Sequence, residues 1–168
     1  GALQIDGDQS AATGAVSIAS GATLSGSGTT GASVTSTGGT ISPGGTTATL
    51  SIGGDLTLDS TSNLNVTLDG TTAGTFDQLD VTGTVDLGGA NLNLGLGFIP
   101  STSPADTFSI VNTAGVDTHT NTIKGVAEGG TVSVGAHQFT VSYAAGTDSN
   151  DTVLTYAGVL AQNIAYVD

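Results

Sequence analysis

Leu50-Ser51-Ile52-Gly53-Gly54-Asp55-Leu56-Thr57-Leu58 holds two short runs in which every second residue is aliphatic, parted by Gly-Gly-Asp. A period of two places successive side chains on opposite faces of an extended chain. Each run therefore reads as a strand with one apolar face, and the break between them as a turn. The same texture spreads in both directions. Towards the N-terminus, Ala15-Val16-Ser17-Ile18, Ala22-Thr23-Leu24, Ala32-Ser33-Val34-Thr35 and Thr40-Ile41-Ser42 repeat it. Their spacing is roughly eight to ten residues, with Gly, Ser and Thr in the turns. Towards the C-terminus the alternation recurs at Leu64, Val66 and Leu68, at Leu92, Leu94 and Leu96, at Val132 and Val134, and at Phe139, Val141 and Tyr143.

No stretch carries helical spacing between credible caps, so essentially no helix is expected. The pattern predicts an all-β chain: short β-solenoid or β-helix coils, then a sandwich-like or widened β-helical region. Residues 1–14 read as an N-terminal arm, 15–62 as short-strand repeats, 63–157 as a larger β region or cap, and 158–168 as a C-terminal strand or tail. Within 63–157, period two leaves parallel solenoid and antiparallel sandwich both open, because either buries alternate residues.

Composition limits the core and the partners. The chain has 168 residues with 27 Gly, 4 Phe, 3 Tyr and no Trp, Met or Cys. Few large side chains are available, so a narrow interior of stacked aliphatic residues suits the sequence better than a wide one. Acidic residues number 14 against a single basic one, Lys124, for a formal net charge of −13. Nucleic acid and anionic membrane surfaces are recognised through Lys and Arg, so neither is expected as a direct partner. No apolar run approaches the roughly 20 residues of a membrane helix, so no direct membrane insertion is expected. Without cysteine there is no disulfide framework or thiol chemistry. No leader is visible ahead of Gly1, so the chain reads as mature or trimmed. The Thr- and Gly-rich, Lys-poor composition points to an extracellular setting.

Three stretches resemble a known kind of sequence: Gly21-Ala22-Thr23-Leu24-Ser25-Gly26-Ser27-Gly28, the run from Gly39-Thr40-Ile41-Ser42-Pro43-Gly44 to Leu58, and Asp77-Gln78-Leu79-Asp80-Val81-Thr82-Gly83 with Val85-Asp86-Leu87-Gly88-Gly89-Ala90. A later echo is Asn150-Asp151-Thr152-Val153-Leu154-Thr155. In this order they resemble the passenger regions of bacterial autotransporter-type surface proteins, specifically the autotransporter-associated β-strand repeat and the β-rich segment after it. The resemblance implies a right-handed parallel β-helix on a bacterial-type cell surface, with a structural or adhesive role and no catalytic residues. The family's outer-membrane barrel has no counterpart in this sequence.

Candidate chemistry is sparse. His119 and His137 lie apart, and no Gly-x-Ser-x-Gly elbow accompanies them, so surface or turn histidines are the simpler reading. Paired carboxylates at Asp77 and Asp80, or Asp148 and Asp151, invite a comparison with β-helix enzymes acting on polysaccharides. Without Arg to hold an acidic substrate, that alternative is weak. An isopeptide link from Lys124, assisted by Glu128, is weaker still. No enzyme is expected.

Calcium is the one ligand that the acidic loops invite, although no cofactor is required. Asp148, Asn150 and Asp151 form a hard-oxygen cluster after Gly146, and Asp6 and Asp8 flank Gly7; calcium is held by such oxygens. The competing reading is that these side chains cap their own turns.

Exposed strand edges are usually guarded by Lys, Pro or bulges. Here Lys is almost absent, and protection falls to Asp55, Asp59, Asp69, Asp80 and Asp86. Edges that pair with copies of the chain are therefore expected, by strand addition or end-to-end stacking into a fibre, sheath or adhesin. Candidate strands for that exchange are Leu3 and Ile5 at one end, and Val159, Leu160, Ile164, Tyr166 and Val167 at the other. A passive stem beneath a separate head is the alternative. A glycan or host-surface contact is left open.

Overall fold

The computed structural model describes residues 1–45, 47–114, 121–146 and 149–160. Among these the chain forms β-strands and no helix. The strands follow one another in rounds of three: β1 (Ala2–Gln4), β2 (Asp8–Gln9) and β3 (Val16–Ala19), then β4 (Thr23–Gly26), β5 (Thr29–Thr30) and β6 (Val34–Thr37). The next rounds are β7 (Thr40–Pro43), β8 (Thr49–Ile52) and β9 (Leu56–Thr57), then β10 (Asn63–Leu68), β11 (Gln78–Val81) and β12 (Val85–Asp86). A fifth round begins with β13 (Asn91–Leu96) and β14 (Thr107–Thr113), and the chain ends in β15 (Thr131–Val134), β16 (His137–Ala145) and β17 (Asp151–Val159).

Each strand of a round joins a different sheet, and pairs in parallel with its counterpart in the next round. The first sheet has the order β1-β4-β7-β10-β13, and the third β12-β9-β6-β3. The second runs β15-β16-β17-β14-β11-β8-β5-β2, parallel from β2 to β14 and antiparallel from β14 to β15. The region 63–157 is thus parallel in its first part and antiparallel in its last. Stacking passes through residue 63 without interruption, because β10 pairs with both β7 and β13.

Register turns the alternation into columns. In the first sheet Leu3, Leu24, Ile41, Leu64 and Leu92 lie side by side. In the third, Val16, Val34, Leu56 and Val85 do the same, and in the second Leu50, Leu79 and Val111. Inner members such as Leu24, Ile41, Val34, Leu56 and Leu79 are buried. Burial of these aliphatic columns is the main stabilising term, since an apolar side chain removed from water contributes about 1.5–3 kcal/mol. Outward positions carry Thr, Ser and Asn. Asn93 donates from Nδ2 to Asn65 Oδ1 at 2.9 Å, linking two neighbouring strands along the outside.

Close stacking of rounds demands glycine at particular places. Gly26 has φ +121°, and a Cβ there would run into the Ile5 carbonyl of the preceding round. At the other end the aromatics gather. Phe108 meets Phe76 edge-on at 5.6 Å, and Phe98 and Phe139 at 6.0 Å; Tyr156 lies 5.3 Å from Phe139. These rings fill the space beneath the antiparallel strands, where the aliphatic columns stop. Residues 122–124 also turn back over β13's approach, with Gly89 N donating to Thr122 O and Lys124 N to Ala90 O.

Candidate functional site

The two ends of the stack differ. At the N-terminal end β1, β2 and β3 are the last strands of their sheets. Leu3, first in its column, is 49% exposed, whereas Leu24 beside it is buried. Ile5 is buried, and its N–H donates to Ser25 O at 2.8 Å. Leu3, Ile5, Ala12 and Val16 line a concavity of about 550 Å³ at this end.

Asp6 lines it too, and both Asp6 and Asp8 hold turns. Asp6 Oδ2 accepts from Gln4 Nε2 at 2.7 Å and Oδ1 from Ser27 N at 3.3 Å; Asp8 Oδ1 accepts from Ser10 N at 2.8 Å. Hydrogen bonds from the Ser10 side chain and backbone hold the Asp8 carboxyl below its ordinary range.

The far end is covered by the β15–β17 strands, yet apolar side chains remain outside. Ile99 is 83%, Val159 62% and Leu160 43% exposed. Leu160 N donates to Ala136 O at 2.8 Å, fixing the exit of the chain beside the β15–β16 turn. Leu96, Phe98, Ile99, Val134 and His137 line a cleft of about 390 Å³. His137 Nδ1 lies 2.8 Å from the Tyr156 hydroxyl. Ile164, Tyr166 and Val167, the remaining candidates for strand exchange, lie outside the described residues, as does His119.

In the acidic loop, Asn150 and Asp151 are buried. Asp151 Oδ1 accepts from Thr113 N at 3.0 Å, tying the start of β17 to the end of β14. Gly146, at φ +81°, packs against the other carboxylate oxygen, leaving no room for a Cβ. Asp148 lies outside the described residues. Among the described residues no three His, Asp or Glu side chains are grouped closely enough to hold a metal ion.

The carboxylates that sequence reasoning assigned to edge protection do something else here: several bond one round to the next. Asp55 Oδ1 accepts from Thr84 N at 2.8 Å and from Thr84 Oγ1 at 2.9 Å, and these bonds lower its pKa. Asp59 Oδ1 accepts from Gly38 N at 3.1 Å, Thr61 N at 3.0 Å and Ser62 Oγ at 2.8 Å. The Ser62 and Thr61 hydroxyls lead in pulling the Asp59 carboxyl down to about 2. Asp80 Oδ1 accepts from Asn112 Nδ2, and Asp86 Oδ1 from Asn121 Nδ2 and Gly88 N.

Asp77, paired in the sequence reading with Asp80, is buried. Its two oxygens accept from Ala48 N at 2.9 Å and Thr67 N at 2.8 Å. Burial pushes its carboxyl up, and the two backbone donors pull the other way. Only Asp55, after Gly54, and Asp59, before Ser60, carry the composition of Asx turns; Asp77, Asp80 and Asp86 have no such neighbour. Glu128 is also engaged, accepting from Tyr143 N at 2.6 Å.

No protein-family model matches the chain, and no curated protein matches it significantly.

Proposed function

We propose that this chain is a structural β-solenoid module of an extracellular, bacterial-type cell surface, and that it associates with copies of itself end to end. The solenoid reading is supported by the visit to three sheets in rotation. It is also supported by column members 17 to 32 residues apart, close to the repeat lengths of stacked architectures. Parallel crossovers of this kind are right-handed in nearly all proteins, so the same hand is expected here. Composition and the resemblance to autotransporter passenger regions support the surface setting.

The observation that carries the functional reading is that, among the described residues, β1 and β13 each pair with a strand on one side only of the five-stranded parallel sheet. An edge strand offers backbone donors and acceptors to another strand. A structural role also accounts for the carboxylates: those at Asp55, Asp59, Asp77 and Asp151 are engaged by donors from other rounds or strands. The proposal includes no calcium requirement; Asp6, Asp8 and Asp151 each accept a hydrogen bond within the chain.

The second reading is a passive stem, favoured by the antiparallel strands that close the far end of the core. Sedimentation velocity over a hundredfold concentration range tests between them. A self-associating module shifts to larger species as concentration rises, and a stem sediments as a monomer throughout.

A further inference from the structure

The apolar surface that the fold leaves outside is concentrated in one place. Ile99, Val159 and Leu160 are exposed, and all three belong to the far end of the stack. Ile99 lines the cleft there with Leu96, Phe98, Val134 and His137. No Asp, Glu, Lys or Arg lines it, in a chain of net charge −13. Its walls are held from beneath. Phe98 meets Phe108 edge-on at 6.0 Å, and His137 Nδ1 lies 2.8 Å from the Tyr156 hydroxyl. A grouped apolar surface of this kind marks a place where something else packs.

The chain itself leads to this cleft. β17 pairs with β16 as far as Val159, which lies beside His137, and Leu160 N then donates to Ala136 O at 2.8 Å. Ala136 stands between Gly135 and His137, both of which line the cleft. β17 also borders the segment that follows Ile99. Tyr156 N donates to Asp106 O at 2.9 Å, and a Cβ on Gly158 would lie 3.7 Å from Thr102 Cγ2. Leu160 therefore leaves the sheet at the edge of the cleft, beside the β15–β16 turn.

Beyond it the sequence runs Ala161-Gln162-Asn163-Ile164-Ala165-Tyr166-Val167-Asp168. From Val159 to Val167 no residue is charged, so the segment matches the uncharged lining. In extended chain Ile164 and Tyr166 share one face. The four residues from Leu160 to Ile164 span at most about 14 Å, enough to carry Ile164 from the edge of the cleft into it.

We infer that residues 161–168 return over this cleft of their own molecule and seat Ile164 and Tyr166 against Leu96, Phe98, Ile99 and Val134. The seat lies within one chain, so it stands independently of the self-association proposed above. It covers the exposed apolar groups of the far end with a segment of the same character. It also withdraws Ile164 and Tyr166 from strand exchange with a neighbour.

The chain has no tryptophan, so Tyr166→Trp supplies a single reporter at the seat. Circular dichroism melts establish that each variant folds. At low protein concentration the indole emission is expected to the blue of that in the urea-unfolded chain. Acrylamide quenching is expected to be roughly threefold weaker than in urea, because the ring is shielded from water. Adding Ile99→Asp places a charge on the cleft at an exposed position, and should return both readings to their values in urea. Ile164→Asp, on the other side of the same contact, repeats the test if the Ile99→Asp variant fails to fold. An indole quenched as readily as in urea would overturn the seat. Shielding that survives both Ile99→Asp and Ile164→Asp would overturn it too, since the segment would then lie elsewhere. Shielding that appears only as concentration rises would also overturn it, by showing that the cleft takes the segment of a second copy.

Discussion

Leu64→Ala should cost several times more stability than Leu3→Ala, although both remove the same atoms from the same column. Leu64 is 2% exposed, held between Ile41 and Leu92. Truncating a buried leucine costs about 2–5 kcal/mol, through lost transfer energy and the cavity left behind. Leu3 is 49% exposed and has a neighbour on one side only, Leu24. With half of its surface already in water, its loss should cost about 1 kcal/mol, roughly half the contribution of a fully buried leucine. For a chain of this size, 1 kcal/mol moves the melting temperature by about 2–4 °C. Thermal unfolding followed by far-ultraviolet circular dichroism should therefore show a drop near 10 °C for Leu64→Ala and near 3 °C for Leu3→Ala. The measurement belongs at low protein concentration, where association does not shield Leu3. Equal drops, or a loss under about 1 kcal/mol at Leu64, would refute the stacked-column account of the core.

Three further outcomes follow from the carboxylates and the close approach of rounds. Asp59→Asn should lower stability at neutral pH, and the deficit should shrink as pH falls from 3.8 towards about 2. A depressed folded-state pKa stabilises only above the unfolded value, so this window is where it is lost; melts at a series of pH values read it. Asp77→Ala leaves the N–H groups of Ala48 and Thr67 without their acceptor, and should cost about 1–3 kcal/mol for each that stays buried and unpaired, measured by urea titration. Gly26→Val places a β-branched side chain at φ +121° against the Ile5 carbonyl. It should detach the first round, seen as faster amide exchange at Leu3 and Ile5 with β10 to β14 unchanged.

The legible part of the fold was the part that alternates. The runs at Thr40-Ile41-Ser42, Leu50-Ser51-Ile52 and Leu64 to Leu68 announce strands because one face of each is wholly buried and the other wet. The two-residue strands β2 and β5 are too short to show a period. β14 hides for a different reason: its register shifts between Ser109 and Val111, so Ile110 and Val111 are consecutive and both buried. That irregularity breaks the pattern where the sheet changes from parallel to antiparallel.

The three-sheet rotation was legible only as repetition. Period two gives the face of a strand but not its partner, and pairing is set by turns whose glycines admit close backbone contact. Of the candidate site, Leu3 and Ile5 stood out because they continue the alternation into the first residues. The cross-round duty of Asp55, Asp59 and Asp77 did not, since an Asp beside Gly or Ser reads equally as a solvated turn and Asp77, between Phe76 and Gln78, carries no turn signal at all.

Negative-stain electron microscopy of the unmodified chain, over a range of concentrations and in calcium or chelator, tests the central claim most directly. The account predicts short rods that join end to end as concentration rises, with the same particles in both buffers. Separate particles at every concentration in both buffers would contradict it, and β1 and β13 would then be ordinary sheet ends.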